Sequence, residues 1–347
     1  MICSLHFSPG HTTHLLAYKN MIEECGYDTA LYISSQYMNL FDEAIEKIIT
    51  NESEALQYHP DVVWIYNVGV EDLRVIYLFK KCNSKIVYVL HEPYKGFTPL
   101  YKEGKSFFRM GVAIILNFLI CHYSDRVIVS SRCAMNNCQK YMPMTKRKAI
   151  LFPLIFPDLF INGLQREYFS LIGSFSEPHG SLNFIKFIRE SYKNNKIKFQ
   201  IATRNDISIL LEDDILKEMI QQGRLIVQQG RPLTVEEINK AYRQSICTWN
   251  VYNVSNQSGV LVNSFMQGTP VIATKIGSFE EYIDNYNNSM LVKSHEYDEL
   301  FNAYSFIEQH IDGMSKKCRK TFLDKFFYAN QEDKFKKIIE EMTKKEE

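Results

Sequence analysis

A polar turn at Ser258-Gly259 is the part of this sequence best suited to hold an anion. The turn opens a segment whose apolar residues, such as Leu261 and Phe265, recur at helical spacing. Free backbone N–H groups and the positive end of the helix dipole converge at the start of a helix, which favours a bound phosphate. An ordinary β-α-β packing unit would show the same pattern, so both interpretations are open on this turn alone.

The turn lies within a strand and helix unit that runs from Ser255 to Ile283. Gly268 stands where the first helix should end, and Pro270–Ala273 has the pattern of a short buried strand. Gly277 then turns the chain into a second helix, which carries Glu281.

Polar residues also follow three predicted strands in the first half of the chain. Gly10-His11 follows the first strand, Asn67 the third and His91-Glu92 the fourth. The carboxyl ends of the strands in a doubly wound domain meet at one edge, where ligands gather. A histidine that ends a strand is equally often a packing or capping residue, so His91 has either a functional or a structural role.

The composition is that of a soluble globular protein. Of 347 residues, 46% are hydrophobic and 23% are charged, which excludes a disordered chain. Lys plus Arg and Asp plus Glu both number 40, so the charge gives no reason to expect nucleic acid as a partner. The length is sufficient for two domains, each with its own core.

The eight cysteines are scattered and show no zinc-binding spacing. The first residues lead straight into a predicted strand and lack the character of a secretory leader. We therefore expect reduced thiols and a cytoplasmic protein.

The two halves of the chain repeat one alternation of strands and helices. We predict an α/β protein with two Rossmann-like, doubly wound domains, residues 1–157 and residues 165–320, joined through a turn-rich stretch. Residues 321–347 are predicted to be C-terminal helices, which can return to the first domain.

A strongly apolar stretch, Met110–Cys121, follows the cationic residues Lys102, Lys105 and Arg109. It is too short to span a bilayer, which needs about 20 such residues. The stretch is either a buried domain helix, or residues 102–121 form a basic and aromatic surface that contacts anionic lipid at the inner face of a membrane. We favour the buried helix, because buried helices of this length are common.

Two common nucleotide-binding motifs are absent from the sequence. No G-x-G-x-x-G follows the first strand and no G-x-x-x-x-G-K-[ST] occurs, so a dinucleotide oxidoreductase and a phosphate-loop NTPase lack support. Gly268–Ala273 instead reads G-T-P-V-I-A, with Gly277 and Glu281 after it. In this respect the chain resembles the GT-B glycosyltransferases, most closely the retaining, nucleotide-sugar-dependent group 1. The resemblance implies the GT-B fold, in which an acceptor domain and a donor domain face each other across a cleft.

The resemblance also implies roles for individual residues. In the acceptor domain it implies a catalytic His91 that faces the cleft, with Gly10, His11 and Glu92 on the acceptor side. In the donor domain it implies contacts from the following residues: Gly173, Ser174, His179, Gly180, Ser255, Asn263 and Glu281.

Four of the family's strongest donor contacts are altered in this chain. The family usually carries two glutamates, and counting back from Gly268 places them at Ser255 and Asn263. The two cations that neutralise the donor diphosphate in the family fall at Ser174 and His179. None of these four residues carries the permanent charge that the family uses.

Other polar groups can replace those contacts. Asn263 can bond a ribose hydroxyl, and a protonated His179 can supply part of the missing charge. Arg204, at a strand end, can face the diphosphate, although a surface ion pair is the more common role of an arginine. The remaining expected donor contacts are the phosphate turn of Ser258, Gly259 and Val260 and the sugar-binding amides of Asn256 and Gln257.

We therefore predict a transferase that moves a sugar from a nucleotide-diphosphate donor to a saccharide or lipid-linked saccharide during surface polysaccharide synthesis. Neither a cofactor nor a metal is expected, because the sequence has no clustered Asp-x-Asp. Retention of the anomeric configuration is implied by the resemblance alone. Two alternatives stay open: a GT-B-shaped binding subunit without activity, and a nucleotide-sugar epimerase.

Overall fold

A computed structural model describes residues 1–6, 12–41, 47–66, 68–91, 93, 106–193, 197–255 and 257–343. The chain divides into two compact units. Unit 1 comprises Met1–Pro157 and Phe326–Glu347, and unit 2 comprises Asp158–Lys325. Each unit is built on one parallel sheet, which is the architecture of a doubly wound domain.

The sheet of unit 1 has seven strands in the order β3-β2-β1-β4-β5-β6-β7. These strands are β1 (Ile2–Ser4), β2 (Leu31–Ile33), β3 (Ile48–Ile49), β4 (Val62–Ile65), β5 (Lys85–Val89), β6 (Arg126–Val129) and β7 (Ala149–Leu151). The helices of unit 1 are α1 (Thr12–Glu24), α2 (Glu52–Gln57), α3 (Val70–Lys81), α4 (Ser106–Tyr123), α5 (Arg132–Tyr141) and α13 (Glu332–Thr343).

Alternate residues of the unit 1 strands enter two separate cores, because successive side chains of a strand point to opposite faces. Ile2 and Trp64 belong to one core, whereas Cys3 and Val63 belong to the other. The first core also contains Phe335 of α13, which stacks on Trp64 with the ring centroids 5.3 Å apart. The C-terminal helix is therefore part of the first unit.

The sheet of unit 2 has six strands in the order β10-β9-β8-β11-β12-β13. These strands are β8 (Tyr168–Ile172), β9 (Lys198–Ala202), β10 (Leu225–Gln228), β11 (Ser245–Asn250), β12 (Val271–Thr274) and β13 (Met290–Val292). The helices of unit 2 are α6 (Ser181–Glu190), α7 (Asp214–Gln221), α8 (Val235–Arg243), α9 (Gly259–Met266), α10 (Phe279–Tyr282), α11 (Tyr297–Gln309) and α12 (Ile311–Lys325). Aromatic residues fill its main core, with Phe169, Phe184 and Trp249 in mutual contact.

The N-terminus of α6 differs from the sequence prediction. The sequence predicts Ser181 as the N-cap of this helix, because serine is a preferred N-cap residue. The N-cap is instead Gly180, whose φ is +64°. A Cβ on Gly180 would lie 2.3 Å from the carbonyl oxygen of Val251, so glycine alone fits there. Ser181 is buried instead, and its hydroxyl accepts a hydrogen bond from the backbone N–H of Ser176 at 3.0 Å.

All eight cysteines are free thiols. Within the described part of the chain, no helix combines the length and apolar character that crossing a membrane requires.

Candidate functional site

The strand order of unit 2 reverses between β8 and β11, which pair side by side. In open α/β sheets, ligands bind beyond the carboxyl ends of the strands at such a reversal. A ligand site is therefore expected at the two connections that follow these strands, residues 173–180 and residues 251–258.

These two connections are bound to each other. The backbone N–H of Asn253 donates to the carbonyl of Pro178 at 2.8 Å, and its side-chain amide donates to the carbonyl of Glu177 at 2.7 Å. The indole N–H of Trp249 donates to the carbonyl of His179 at 3.1 Å. Together these bonds hold the turn Glu177–His179 against the end of β11.

Ser258 is the N-cap of α9. Its hydroxyl oxygen accepts from the backbone N–H of Leu261 at 3.3 Å and from the side-chain amide of Asn250 at 3.3 Å. The side chains of Ser258 and Tyr252 also form a hydrogen bond. Burial of the Tyr252 phenol raises its pKa well above the ordinary value. Ser258 itself is buried, so the start of α9 has a fixed geometry.

The first turn of α9 lies against the connection after β8. Gly173, which has a φ of +110°, lies close to Val260 in this turn. A Cβ added to Gly173 would be 3.5 Å from Cγ2 of Val260. The first N–H groups of an α-helix have no partner within the helix. The N–H groups of Gly259 and Val260 therefore stand at the β8 and β11 edge with the positive end of the helix dipole, an arrangement suited to a phosphate.

His179 is held by two contacts beside this helix start. Its ring stacks on Tyr252, with the centroids 4.5 Å apart, and its Nδ1 lies 3.0 Å from the carbonyl oxygen of Ser174. Because a carbonyl only accepts, Nδ1 carries a proton. The other ring nitrogen, Nε2, is then the atom that can bind a ligand.

Arg204 lies two residues beyond the end of β9 and is exposed. The adjacent Asn205 accepts from the backbone N–H of Phe175 at 2.9 Å, which ties the end of β9 to the connection after β8. Among the described residues, no carboxylate pairs with the guanidinium of Arg204. Arg204 therefore forms no ion pair with the described residues, although ion pairing is the common role of an exposed arginine.

The other residues predicted to contact the donor lie on the connection after β11, on α9 and on α10. The hydroxyl of Ser255 donates to the carbonyl of Gln257 at 3.1 Å. Asn263 is half-buried and lies one turn after Gly259 on α9, so the two residues share a face. Glu281 is half-buried on α10. Asn256 lies outside the described residues.

Lys275 is a cation at the same edge that the sequence analysis missed. It follows β12, the strand next to β11, and its Nζ lies 3.7 Å from Oε2 of Glu280. Its side chain is 62% exposed, so it can turn toward an anionic ligand. The sequence could have indicated Lys275, because this residue lies between a predicted strand and the turn at Gly277.

At the corresponding edge of unit 1, His91 packs against Tyr66, with the ring centroids 4.7 Å apart. A second histidine, His14 in the first turn of α1, lies near the same tyrosine, and its Nδ1 is 3.2 Å from the carbonyl oxygen of Ile155. The other acceptor-side predictions, Gly10, His11, Asn67 and Glu92, lie outside the described residues.

The edge of unit 1 also contains a histidine–carboxylate pair that the sequence did not reveal. Nε2 of His6, just after β1, lies 2.5 Å from Oε2 of Glu71, in the first turn of α3. A Cβ on Gly69 would lie 2.0 Å from the His6 ring, so the ring sits directly on the backbone of that turn. Next to the pair, burial raises the pKa of Asp72 to about 7, although His6 opposes the rise. A carboxyl with such a pKa can exchange a proton near neutral pH.

No group of three or more His, Cys, Asp or Glu side chains in the described part of the chain is arranged to hold a metal ion.

Solved structures of glycosyltransferases share this architecture. A glycosyltransferase from Rickettsia africae ESF-5 superposes with a TM-score of 0.72 at 11% identity, over 99% of this chain and 98% of that one. Sucrose-phosphate synthase from Thermosynechococcus elongatus gives 0.73 at 12% identity, over 98% of each chain. Anabaena HepE in complex with UDP-glucose gives 0.71 at 14% identity, also over 98% of each chain.

Neither a protein-family model nor a curated protein matches the sequence. The structural likeness extends over nearly the whole chain, and both units have the parallel, doubly wound sheet that the sequence predicted. The predicted resemblance is thereby confirmed at the level of architecture: the chain has the GT-B fold of these glycosyltransferases, with two Rossmann-like domains.

Proposed function

We propose that the protein is a glycosyltransferase whose unit 2 binds a nucleotide-diphosphate sugar and whose acceptor is a saccharide or a lipid-linked saccharide. The observation that carries the proposal is the contact between Gly173 and the Ser258-capped start of α9 at the β8 and β11 edge. The UDP-glucose held by HepE, which has the same fold, supports a nucleotide sugar as the ligand.

In this reaction the distal phosphate of the donor accepts hydrogen bonds from the N–H groups of Gly259 and Val260. The helix dipole adds a favourable potential, and protonated His179, Arg204 and Lys275 supply positive charge from neighbouring strand ends. Stabilising the charge that develops on the leaving diphosphate is usually the largest contribution to such a reaction. Here that charge is met by backbone dipoles and exposed cations, where the family that the sequence resembles uses two permanent cations.

The rest of the donor is held by polar, uncharged groups. Asn263 bonds a ribose hydroxyl, because it lies one turn after Gly259 on the same face of α9. The amides of Asn256 and Gln257 bond hydroxyls of the transferred sugar, and Glu281 completes the donor contacts. These hydrogen bonds lack the negative charge of a glutamate, so we expect a lower affinity for the donor than carboxylates would give.

The acceptor side of the reaction belongs to unit 1. We assign His91, at the end of β5, to the acceptor hydroxyl, and we propose retention of the anomeric configuration from the family resemblance. The reaction needs neither a resident cofactor nor a metal, because the sequence has no clustered Asp-x-Asp. We place it in the cytoplasm at the inner face of a membrane, within surface polysaccharide synthesis.

Product analysis tests this function. The protein is incubated with a panel of nucleotide sugars, with and without a mixture of saccharide and lipid-linked acceptors, and the products are identified by mass spectrometry and NMR. We expect a glycosylated acceptor and free nucleoside diphosphate only when an acceptor is present, with the donor's anomeric configuration retained. An inverted linkage would contradict retention, and conversion of the donor without an acceptor would favour the epimerase.

The four altered donor positions favour one further alternative, a binding subunit of the same fold without transferase activity. Such a subunit would bind a nucleotide sugar or a saccharide but would release no nucleoside diphosphate with any acceptor. Repeated turnover by the wild-type protein contradicts this alternative.

A further inference from the structure

One face of α4 exposes large apolar side chains to solvent. The exposed fractions are 37% for Val112, 61% for Ile115, 38% for Leu119 and 51% for Tyr123. Their spacing of three, four and four residues places them on one side of the helix. The sequence favoured a buried domain helix here, and that prediction is wrong for this face.

The other side of α4 is packed into unit 1. Ile120 and Cys121 are fully buried in one of its two cores, and the carboxamide of Asn117 accepts a hydrogen bond from the hydroxyl of Tyr88. The helix is therefore fixed to the sheet, and its apolar face is presented on a rigid support. Exposed apolar groups of this kind mark interaction surfaces more often than apolar residues scattered singly.

The charges on and near this face are mostly positive. Ser106–Tyr123 contains no Asp or Glu. Nζ of Lys148 donates to the carbonyl of His122 at 2.6 Å, which brings the turn containing the exposed Lys146 and Arg147 to the C-terminal end of α4. In the sequence, three further cations, Lys102, Lys105 and Arg109, precede the apolar part of the helix, with one acidic residue, Glu103, among them.

We propose that this face of α4 binds an anionic lipid surface. The apolar side chains enter the boundary between headgroups and acyl chains, and Lys146 and Arg147 contact the headgroup phosphates. The stretch from Val112 to Tyr123 is about 16 Å long at 1.5 Å per residue, which is enough for a helix lying in the plane of the membrane. Unit 1 is then the membrane-facing unit of the protein.

The same charges argue against a second copy of the chain as the occupant. Ser106–Tyr123 carries no Asp or Glu, so two α4 helices packed on this face would form no ion pair with each other. An anionic surface instead offers charges of opposite sign to Lys146 and Arg147. This inference rests on the contacts of α4 and is independent of the proposed donor site.

Vesicle co-sedimentation of the full chain tests the surface. The two probes are vesicles of phosphatidylcholine alone and vesicles of phosphatidylcholine with one third phosphatidylglycerol. We expect binding to the anionic vesicles that weakens as salt is added, because headgroup attraction is screened. Replacing Ile115 and Leu119 together by glutamate should lower this binding by about tenfold or more, since two charges then enter the apolar boundary. Charge reversal at Lys146 and Arg147 should lower it as well.

The matched control replaces two exposed isoleucines of unit 2, Ile209 and Ile220, by glutamate, which adds the same charge far along the sequence from α4. This variant should bind the vesicles like the wild type. Circular dichroism and UDP titration show whether each variant keeps its fold and its donor site, so a failed donor site and a failed lipid surface give different results. Absence of wild-type binding, equal loss in the control, or a loss of self-association by the α4 variant without a change in vesicle binding would overturn the inference.

Discussion

The side-chain amide of Asn250 donates to the hydroxyl oxygen of Ser258 across 3.3 Å, and both side chains are buried. Asn250 ends β11, and Ser258 caps α9, so this bond joins the strand at the reversal of the sheet to the helix start. The same hydroxyl oxygen accepts from the N–H of Leu261. Asn250 thus fixes the orientation of the cap on which the proposed phosphate site depends.

Replacing Asn250 by alanine should weaken donor binding without abolishing it. The bond is neutral and worth about 1 kcal/mol, so we expect a loss of about five- to tenfold in affinity for UDP. Isothermal titration with UDP measures it, and Asn51→Ala is the control, because Asn51 caps α2 in unit 1 through its side chain. Unchanged affinity in Asn250→Ala would show that the cap does not position the donor.

Replacing Ser258 and Asn263 together by alanine should abolish measurable donor binding. The change removes the cap of α9 and the group that we assign to the ribose. Ser131→Ala removes a serine cap from α5 in the other unit and should leave donor affinity intact. If the double variant binds UDP like the wild type while Ser131→Ala does too, the donor lies elsewhere.

Arg166 holds the C-terminal end of α9 from inside unit 2. Its guanidinium donates to the carbonyls of Gln267 and Gly268, both at 2.8 Å, and to the carbonyl of Ser245 at 2.7 Å. Burial, with a smaller contribution from the nearby Arg243, lowers the pKa of Arg166 to about 10. Arg166 is half-buried, and its positive charge lies at the negative end of the α9 dipole, which is a favourable placement.

Arg166→Met should therefore destabilise the protein by about 3 kcal/mol or more, because it leaves buried carbonyls without a donor. Arg204→Met is its matched control, since Arg204 is exposed and has no ion pair among the described residues. We expect Arg204→Met to leave the urea unfolding midpoint nearly unchanged and to weaken UDP binding. The opposite pattern, with Arg166→Met harmless to folding, would contradict the role of Arg166 as a clamp on α9.

Asp72 should make the stability of the protein depend on pH. Burial raises its pKa from 3.8 to about 7 in the folded chain. The unfolded carboxyl loses its proton near pH 4 and the folded one near pH 7, so the contribution is most favourable below pH 4 and declines as the pH rises to 7.

Asp72→Asn removes this penalty. Its stability relative to the wild type should increase by about 2–3 kcal/mol between pH 5 and pH 8, because one pKa unit corresponds to about 1.4 kcal/mol. Urea unfolding at several pH values, followed by circular dichroism, measures the difference. A difference that stays flat across this range would show that the carboxyl is ionised in the folded protein.

Local patterns in the sequence were sufficient for several elements. Gly268 ends the helical run as predicted, with a φ of +63°. Thr234 and Glu237 have the sequence spacing of a capping box, and they form one at the start of α8. Both signals depend on residues within one turn of each other, so they can be read without the fold. The alternation of strands and helices, together with Gly268–Ala273, was enough to predict the fold class.

Features that depend on distant parts of the chain were not predictable. Ser181 is not the cap of α6, because the carbonyl of Val251 leaves room only for glycine at position 180. The pair of His6 and Glu71 joins residues 65 positions apart. The exposed face of α4 was the less favoured of two alternatives, because an apolar helix has the same composition whether its outer face is covered or not. In each case the missing information is which surfaces meet in three dimensions.

Calorimetric titration of the wild-type protein with UDP and a panel of nucleotide sugars tests whether unit 2 binds the donor. We expect saturable, single-site binding of at least one nucleotide sugar, which is lost in the Ser258→Ala, Asn263→Ala double variant and retained in Ser131→Ala. Absence of binding by UDP and by every nucleotide sugar in the panel would contradict the assignment of unit 2 as a donor-binding domain.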